Sequence, residues 1–320
     1  NFSLFVAHRR ELVMQCSRKL TDFECNHGVL MAGKSPNRMS DCQVGSIQTI
    51  SSRTEKDDFI KPNANIIFLD EAHRSVSKSF TDLLKQYPDS FVVGLTATPI
   101  RSDNKGLGGV YEELVEAGNI KSLTEQGYLV KNRIIAPSIP DLQGVRIIAG
   151  DYDKGQLEKK MNRPKLVGDI VANWVKSGEN RPTVVFATSI KHSKYICNVF
   201  NHNGIPAGHI DGEMPEIERE KVLKQLDDDE IKVISNCMVL TEGWDKPKIS
   251  CVIVARPTKS YGMWIQMVGR SLRPYPNKID TIILDHSGAI YQHGFPEDAG
   301  NWSLKTTTRK EKEKITKEKV

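Results

Sequence analysis

Asp70 and Glu71 stand side by side in Asp70-Glu71-Ala72-His73, directly after the apolar run Asn65-Ile66-Ile67-Phe68-Leu69. Such a run reads as a buried strand, so two carboxylates meet at its tip. Burying charge is costly unless something pairs with it, and strand-end carboxylates therefore often hold a metal or a proton. A hydrated Mg²⁺ takes few protein carboxylates and leaves the rest of its shell to water and phosphate oxygens. That chemistry points to hydrolysis of a nucleoside triphosphate, which also demands a phosphate cradle.

Three further groupings have chemical potential. Phe91-Val92-Val93-Gly94-Leu95 runs into Thr96-Ala97-Thr98-Pro99, a strand ending in two hydroxyls and a proline, which is a turn able to hydrogen-bond. If the two strands are parallel neighbours, these hydroxyls sit beside the carboxylates. Gln266-Met267-Val268-Gly269-Arg270-Ser271-Leu272-Arg273 falls in a predicted helix, with Arg270 and Arg273 three apart and so on one face. Two cations there repel unless an anion lies between them. One reading is a surface pair bound to water; the other is a clamp on a phosphoryl group, which suits the planar, always-charged guanidinium. Leu240-Thr241-Glu242-Gly243-Trp244-Asp245 adds a hydroxyl, a flexible glycine and a carboxylate in a loop.

Elements that could position these groups alternate along the chain. Strands are predicted at Leu4–Ala7, Asn65–Leu69, Phe91–Leu95, Thr183–Ala187, Ala207–Ile210, Ile231–Ser235, Ser250–Ala255 and Ile279–Leu284. Helices are predicted at Glu11–Phe23, Ser75–Tyr87, Lys191–Asn203, Glu216–Asp228 and Tyr261–Leu272. Strands of about five residues separated by helices imply an α/β fold with parallel sheets and crossover helices. Ligand sites in such sheets gather at the carboxyl ends of the strands, where Asp70, Thr96 and the segment around residue 240 all fall. The weakly patterned stretch from Ser138 to Pro164 reads as a connection. The expected division is a first domain over 1–135, a connection over 136–165, a second domain over 166–296 and a basic, disordered tail over 297–320.

Composition narrows the class. With 320 residues there is room for two cores, and no apolar stretch approaches the roughly 20 residues of a membrane helix, so no membrane partner is expected. Six scattered cysteines without a C-x-x-C pair argue against zinc or a disulfide framework and fit a reducing cytoplasm. The net charge of +5 resembles a nucleic-acid signal, but residues 305–320 hold seven Lys or Arg and three Glu, so +4 of it lies in the tail. A solvated tail fits better than a nucleic-acid arm, and a protein partner could also dock there; the folded part is nearly neutral.

Taken together, these motifs resemble a superfamily 2 helicase of the D-E-A-H type. Asp70–His73 resembles motif II, Thr96–Thr98 motif III, Thr241–Asp245 motif V and Gln266–Arg273 motif VI. Ala7-His8-Arg9-Arg10-Glu11-Leu12 is similar to motif Ia, Ser46-Ile47-Gln48-Thr49 to motif Ib, and Val185-Phe186-Ala187-Thr188 to motif IV. Each is weak alone; their common order over about 265 residues carries the likeness, which is greatest to bacterial and phage helicases related to XPB and UvsW and to restriction-enzyme motor subunits. The resemblance implies two RecA-like domains, with ATP and Mg²⁺ as cofactors and nucleic acid, DNA in preference to RNA, as partner. By the same resemblance Asp70 holds Mg²⁺ through water and Glu71 orients and deprotonates the attacking water. His73, Thr96 and Thr98 couple the nucleotide to the nucleic acid. Gly243 and Asp245 face the nucleotide, Gln266 contacts the γ-phosphate or its water, and Arg270 and Arg273 act as arginine fingers. Arg9, Gln48, Thr49, Thr188 and Thr241 line the phosphate track of one strand.

Gly28-Val29-Leu30-Met31-Ala32-Gly33-Lys34-Ser35 matches G-x-x-x-x-G-K-[ST]. A phosphate loop must follow a buried strand and open a helix, so that backbone N–H groups and the helix dipole meet the phosphates. Here Val29–Ala32 reads as a strand inside the match, a loop follows, and the match comes after motif Ia rather than before it. The sequence therefore reads as lacking motif I, with that element and its strand and helix expected upstream of Asn1, and the first sheet is expected to show an open edge or gap. Competing readings are the motor of a restriction system and a nucleic-acid-binding module without ATPase activity.

Overall fold

A computed structural model of the protein describes residues 2–34, 37, 39–54, 61–101, 103, 105–241, 243–298 and 302–305. The short apolar runs form two parallel sheets, as the strand–helix alternation implies. Contacts divide the chain into one unit of Asn1–Val115 with Trp302–Val320 and another of Glu116–Asn301.

The first unit runs β1 (Ser3–Ala7), α1 (Arg10–Asp22), β2 (His27–Leu30), β3 (Cys42–Ser46), α2 (Ile47–Thr54), β4 (Ile66–Asp70), α3 (Lys78–Leu84) and β5 (Phe91–Leu95). Its strands lie in the order β2-β3-β1-β4-β5, every pair parallel. Parallel strands cannot be joined by tight hairpins, so helices cross over the faces and both faces become core. Along β1 the side chains alternate accordingly: Leu4 and Val6 enter a cluster with Ile50, Ile67, Leu69 and Phe80, whereas Ala7 packs with Val13 and Val44 on the other face. The helix predicted over Ser75–Tyr87 is shorter, because the chain first makes a 3₁₀ turn over Ala72–Arg74.

The second unit runs α4 (Ile120–Glu125), β6 (Lys131–Ile135), β7 (Ile147–Ile148), β8 (Asp151–Tyr152), α5 (Lys154–Met161), α6 (Pro164–Ser177), β9 (Thr183–Phe186), α7 (Ile190–His202), β10 (Ala207–Ile210), α8 (Glu216–Asp227), β11 (Val233–Asn236), β12 (Cys251–Val254), α9 (Tyr261–Gly269), β13 (Asp280–Asp285) and α10 (Ala289–His293). Its sheet has the order β10-β11-β9-β12-β13-β6, again all parallel. The break between units thus falls at 115/116, not at 135. β6 pairs with β13 over Lys131–Ile135, and that backbone ladder assigns it to the second sheet. The stretch read as a connection holds the β7–β8 hairpin and α5, whose N-terminus is capped by Asp153 accepting from the Gln156 N–H at 2.9 Å. α6 was not expected, yet Val167, Ile170, Val171 and Trp174 form a helical stripe against the sheet, and the Trp174 indole donates to Thr183 Oγ1 at 2.7 Å.

Part of the tail also has a defined place. Gly108 N–H donates to the Leu304 carbonyl at 2.9 Å, and a Cβ at Gly106 would meet that same oxygen at 2.0 Å, so only glycine fits there. Residues 306–320, the basic part of the expected tail, lie outside the described residues. Among the described residues no helix is long and apolar enough to cross a membrane.

The second core carries a pH dependence. Burial pushes His192 and His286 each down to about 4 from an ordinary 6.5. An unfolded chain binds protons at both imidazoles near 6.5, so unfolding takes up protons between those limits. Stability is therefore full above about pH 6.5 and falls as pH drops toward 4, by on the order of 3 kcal/mol per imidazole. Denaturant unfolding at about pH 7 and about pH 4.5 checks this, with His192→Gln expected to lose less stability on acidification than the unaltered protein. An equal loss in the two proteins would remove His192 from the account.

Candidate functional site

In the first unit, β4 delivers Asp70 and its register with β5 fixes what stands opposite. Asp70 aligns with Leu95, so Thr96 comes one residue beyond the neighbouring strand's end. The hydroxyl pair and the carboxylate pair therefore meet at one edge of the sheet, as parallel pairing requires. Glu71 takes a left-handed backbone conformation, φ 52 and ψ 52, which is uncommon for a residue with a side chain and turns the chain sharply off the strand. Asp70 Oδ1 accepts from the Glu71 N–H at 2.9 Å and braces that turn.

His73 links the two pairs. Its Nδ1 lies 3.3 Å from Glu71 Oε2 and 3.3 Å from Thr96 Oγ1. Thr96 Oγ1 in turn accepts from the Thr98 N–H at 3.1 Å and donates to the Thr98 carbonyl at 3.2 Å. A displacement of Glu71 is thus felt at Thr96 through one imidazole. The oxygen-rich edge suits a hard cation such as Mg²⁺, which needs only one or two carboxylates and keeps its waters.

A second cluster lies at the carboxyl ends of β1 and β3, which are neighbours with Ala7 opposite Ser46. Gln48 Nε2 donates to the His8 carbonyl at 2.8 Å, the Thr49 N–H donates to Ser46 Oγ at 3.4 Å, and Arg9 Nε donates to His8 Nε2 at 3.3 Å. Arg9, Gln48 and Thr49 are therefore held together by short links. The Gly28–Ser35 match, on the other side of β3, runs as β2 into a turn, with Gly33 at φ 75 and β3 beginning at Cys42. No helix opens among its described residues. β2 is also the opposite edge strand, three strand spacings or about 14 Å from β4. Lys34 is thus remote from Asp70.

In the second unit, α9 ends at Gly269 and the chain turns, so Arg270 caps the helix and Arg273 lies beyond it. The two guanidiniums do not share a helix face. Arg270 donates from Nε to the Thr241 carbonyl at 3.1 Å and from Nη1 to the Trp244 carbonyl at 2.5 Å. Arg273 pairs with Asp245, both groups partly exposed. The anion that two neighbouring cations require is thus partly supplied by this loop. Gly243 at φ 71 lets the loop fold back toward both arginines. Glu242, within the same loop, lies outside the described residues.

Gln266, Thr188 and Thr241 are buried. The Thr188 N–H points at His192 Nδ1 at 3.3 Å, which makes that nitrogen an acceptor. The Thr188 hydroxyl, 2.9 Å from the same nitrogen, must then donate to it, and its single proton is spent. In this arrangement Thr188 accepts hydrogen bonds but has none to offer a phosphate. His192 escaped the sequence reading, as did Arg256, whose buried guanidinium reaches Asp151 at 3.5 Å and joins β8 to the segment after β12. Lys278 was missed as well.

Residues 2–101 match the family described as "Type III restriction enzyme, res subunit", and residues 162–275 match the "Helicase conserved C-terminal domain". Among curated proteins, "Putative ATP-dependent helicase IRC3" of Saccharomyces cerevisiae is 30% identical over 300 residues, covering 90% of this chain and 43% of that protein. The chain spans about half the length of the curated relatives it matches. Among solved structures, the fragment of a "putative HsdR subunit of a type I restriction enzyme" from Vibrio vulnificus YJ016 superposes with a TM-score of 0.69 at 19% identity, covering 94% of this chain and 56% of that one. Dbp5 of S. cerevisiae bound to RNA and ADP BeF3 gives a TM-score of 0.62 at 15% identity over 99% of this chain and 81% of that one. These structures share the fold of paired RecA-like helicase domains.

Proposed function

Because the chain carries both matched domains of the helicase superfamily, we propose that it is the ATP-hydrolysing motor core of a DEAH-type superfamily 2 helicase or translocase. The observation that carries this reading is the Glu71–His73–Thr96 chain beside Asp70, a carboxylate wired to the turn after the next strand. Bound Mg²⁺ would neutralise phosphate charge, and Asp70 would hold it through water. Glu71 would orient the attacking water and take its proton. His73 and Thr96 would pass the state of the site to the nucleic-acid face through Thr98. Gln266, Arg270 and Arg273 would serve the phosphate, with Gly243 and Asp245 shaping the nucleotide pocket. Arg9, Gln48, Thr49, Thr188 and Thr241 would track one strand's backbone, and such contacts carry no base information. Thr188 would do so only once its N–H and hydroxyl leave His192 Nδ1, which holds both here. Similarity to restriction-enzyme subunits supports DNA over RNA and keeps a restriction-system motor as the second reading.

No described residue makes a phosphate cradle opposite Asp70. We assign that element to polypeptide outside these 320 residues, received on the open edge of β5. β5 is the sheet's edge strand, Phe91 is 70% exposed, and a cavity of about 770 Å³ lies against it, lined among others by Val92, Gly94, Val110, Tyr111 and Leu304. An unpaired edge beside apolar lining is a template for a further strand. Nucleic-acid-stimulated ATP hydrolysis should be measured on this chain and on a version extended by its natural upstream coding sequence. Turnover only in the extended protein, with Lys34→Ala neutral there, is expected. Turnover in the short chain that Lys34→Ala abolishes would make Gly28–Ser35 the cradle. Inactivity of both would favour a binding module without ATPase activity.

A further inference from the structure

Lys278 lies outside every motif the sequence singles out, yet its ammonium engages three backbone carbonyls. Nζ donates to Pro247 O at 3.0 Å, Ile249 O at 2.5 Å and Arg273 O at 2.8 Å. An ammonium has three N–H donors, so the set is complete. Two acceptors belong to the loop that follows Asp245, and the third is the carbonyl of Arg273 itself. Lys278 reaches them through the turn Pro274-Tyr275-Pro276-Asn277. Asn277 adopts φ 63, a left-handed conformation that asparagine tolerates well, and the Lys278 N–H donates to the Tyr275 carbonyl at 3.0 Å.

Other cations fix the loop from its far side. Lys246 pairs with Asp227 at 2.5 Å, while Lys248 donates to the Asp227 carbonyl at 2.9 Å and pairs with Asp229 at 2.7 Å, all at the end of α8. Burial, with Arg181 and Arg273 nearby, pushes Lys278 down to about 8, so a cation is kept here against its surroundings. Three carbonyl dipoles are what hold it. A lysine serving only solubility would extend into water.

We propose that Lys278 is a positioning residue for hydrolysis: by joining the backbone of Arg273 to residues 247–249, it locks Arg273 and Asp245 into one rigid pair. The proposal rests on the reading of Arg273 as a phosphate-binding group. It differs from a purely structural role because Arg273 and Asp245 are themselves partly exposed and would otherwise be free to part. A misplacement of about 1 Å in a reacting group lowers turnover by about 10²-fold.

The test uses the N-terminally extended protein with Lys278→Met and Lys278→Arg. Lys278→Met is expected to lower kcat for ATP by roughly 10- to 100-fold with KM changed less than about three-fold, since aim rather than affinity is lost. Amide exchange over 245–249 and 271–275 should quicken in the same variant. Lys278→Arg, which keeps the charge and the donors, should recover most of both losses. Unchanged kcat and unchanged exchange in Lys278→Met overturn the proposal, as does an arginine variant no better than methionine. If the unaltered extended protein fails to hydrolyse ATP, the assignment of Arg273 falls, while the exchange result still decides whether Lys278 holds the loop.

Discussion

Alanine at Arg273 is expected to lower nucleic-acid-stimulated ATP turnover of the extended protein by roughly 10³–10⁵-fold, the range for a guanidinium that stabilises phosphoryl transfer. Thermal stability should barely change. Arg273 has 39% of its side-chain surface exposed and its partner Asp245 has 44%, and ion pairs this exposed contribute little to folding. Arg270 should behave otherwise. Its guanidinium bonds to the carbonyls of Thr241 and Trp244, so Arg270→Ala frees a loop as well as removing a charge. A fall in turnover there should come with a lower melting temperature. The pair of measurements separates a group that reaches for a phosphate from one that shapes the loop beneath it. Should Arg273→Ala keep more than about a tenth of the original rate, the finger role passes from Arg273 and the range used here no longer applies.

The sequence was legible wherever burial wrote itself as short apolar runs. β9 and β12, buried at every position, fall within Thr183–Ala187 and Ser250–Ala255, as read from the sequence. β3 was missed because Cys-Gln-Val-Gly-Ser carries little apolar signal. Its Gln43 is buried and spends its amide on the carbonyls of Asn37 and Ser40, which no pattern of hydrophobicity reveals. α9 was drawn too long for the opposite reason. Leu272 continues the helical spacing of Trp264, Met267 and Val268 and is itself buried, but it gets there from a turn. Periodicity reports burial, not the backbone path that achieves it. The same limit governs the site. Residue types and order suggested Asp70, Glu71, Thr96 and the arginines, because side-chain chemistry is visible in a sequence. Lys278 was invisible because it recognises carbonyls, and every residue has one.

Glutamine at Glu71 is expected to stop ATP turnover in the extended protein by about 10²–10⁴-fold while leaving nucleotide binding intact, since a general base contributes in that range. The substitution keeps the shape of the side chain, so the left-handed turn at residue 71 and the brace from Asp70 should survive. The amide also keeps an oxygen that can face His73, 3.3 Å from the present carboxylate, and the coupling to Thr96 should be weakened rather than cut. What is lost is the capacity to accept a proton. Nucleotide affinity, measured by titration with a fluorescent ATP analogue, should therefore change far less than the rate. His73→Ala offers the contrast: with the base present but its link to Thr96 gone, basal hydrolysis should persist while stimulation by nucleic acid declines. Were Glu71→Gln to retain its rate, the proton acceptor would have to be sought elsewhere, and the link through His73 would stand only as packing at the end of β4.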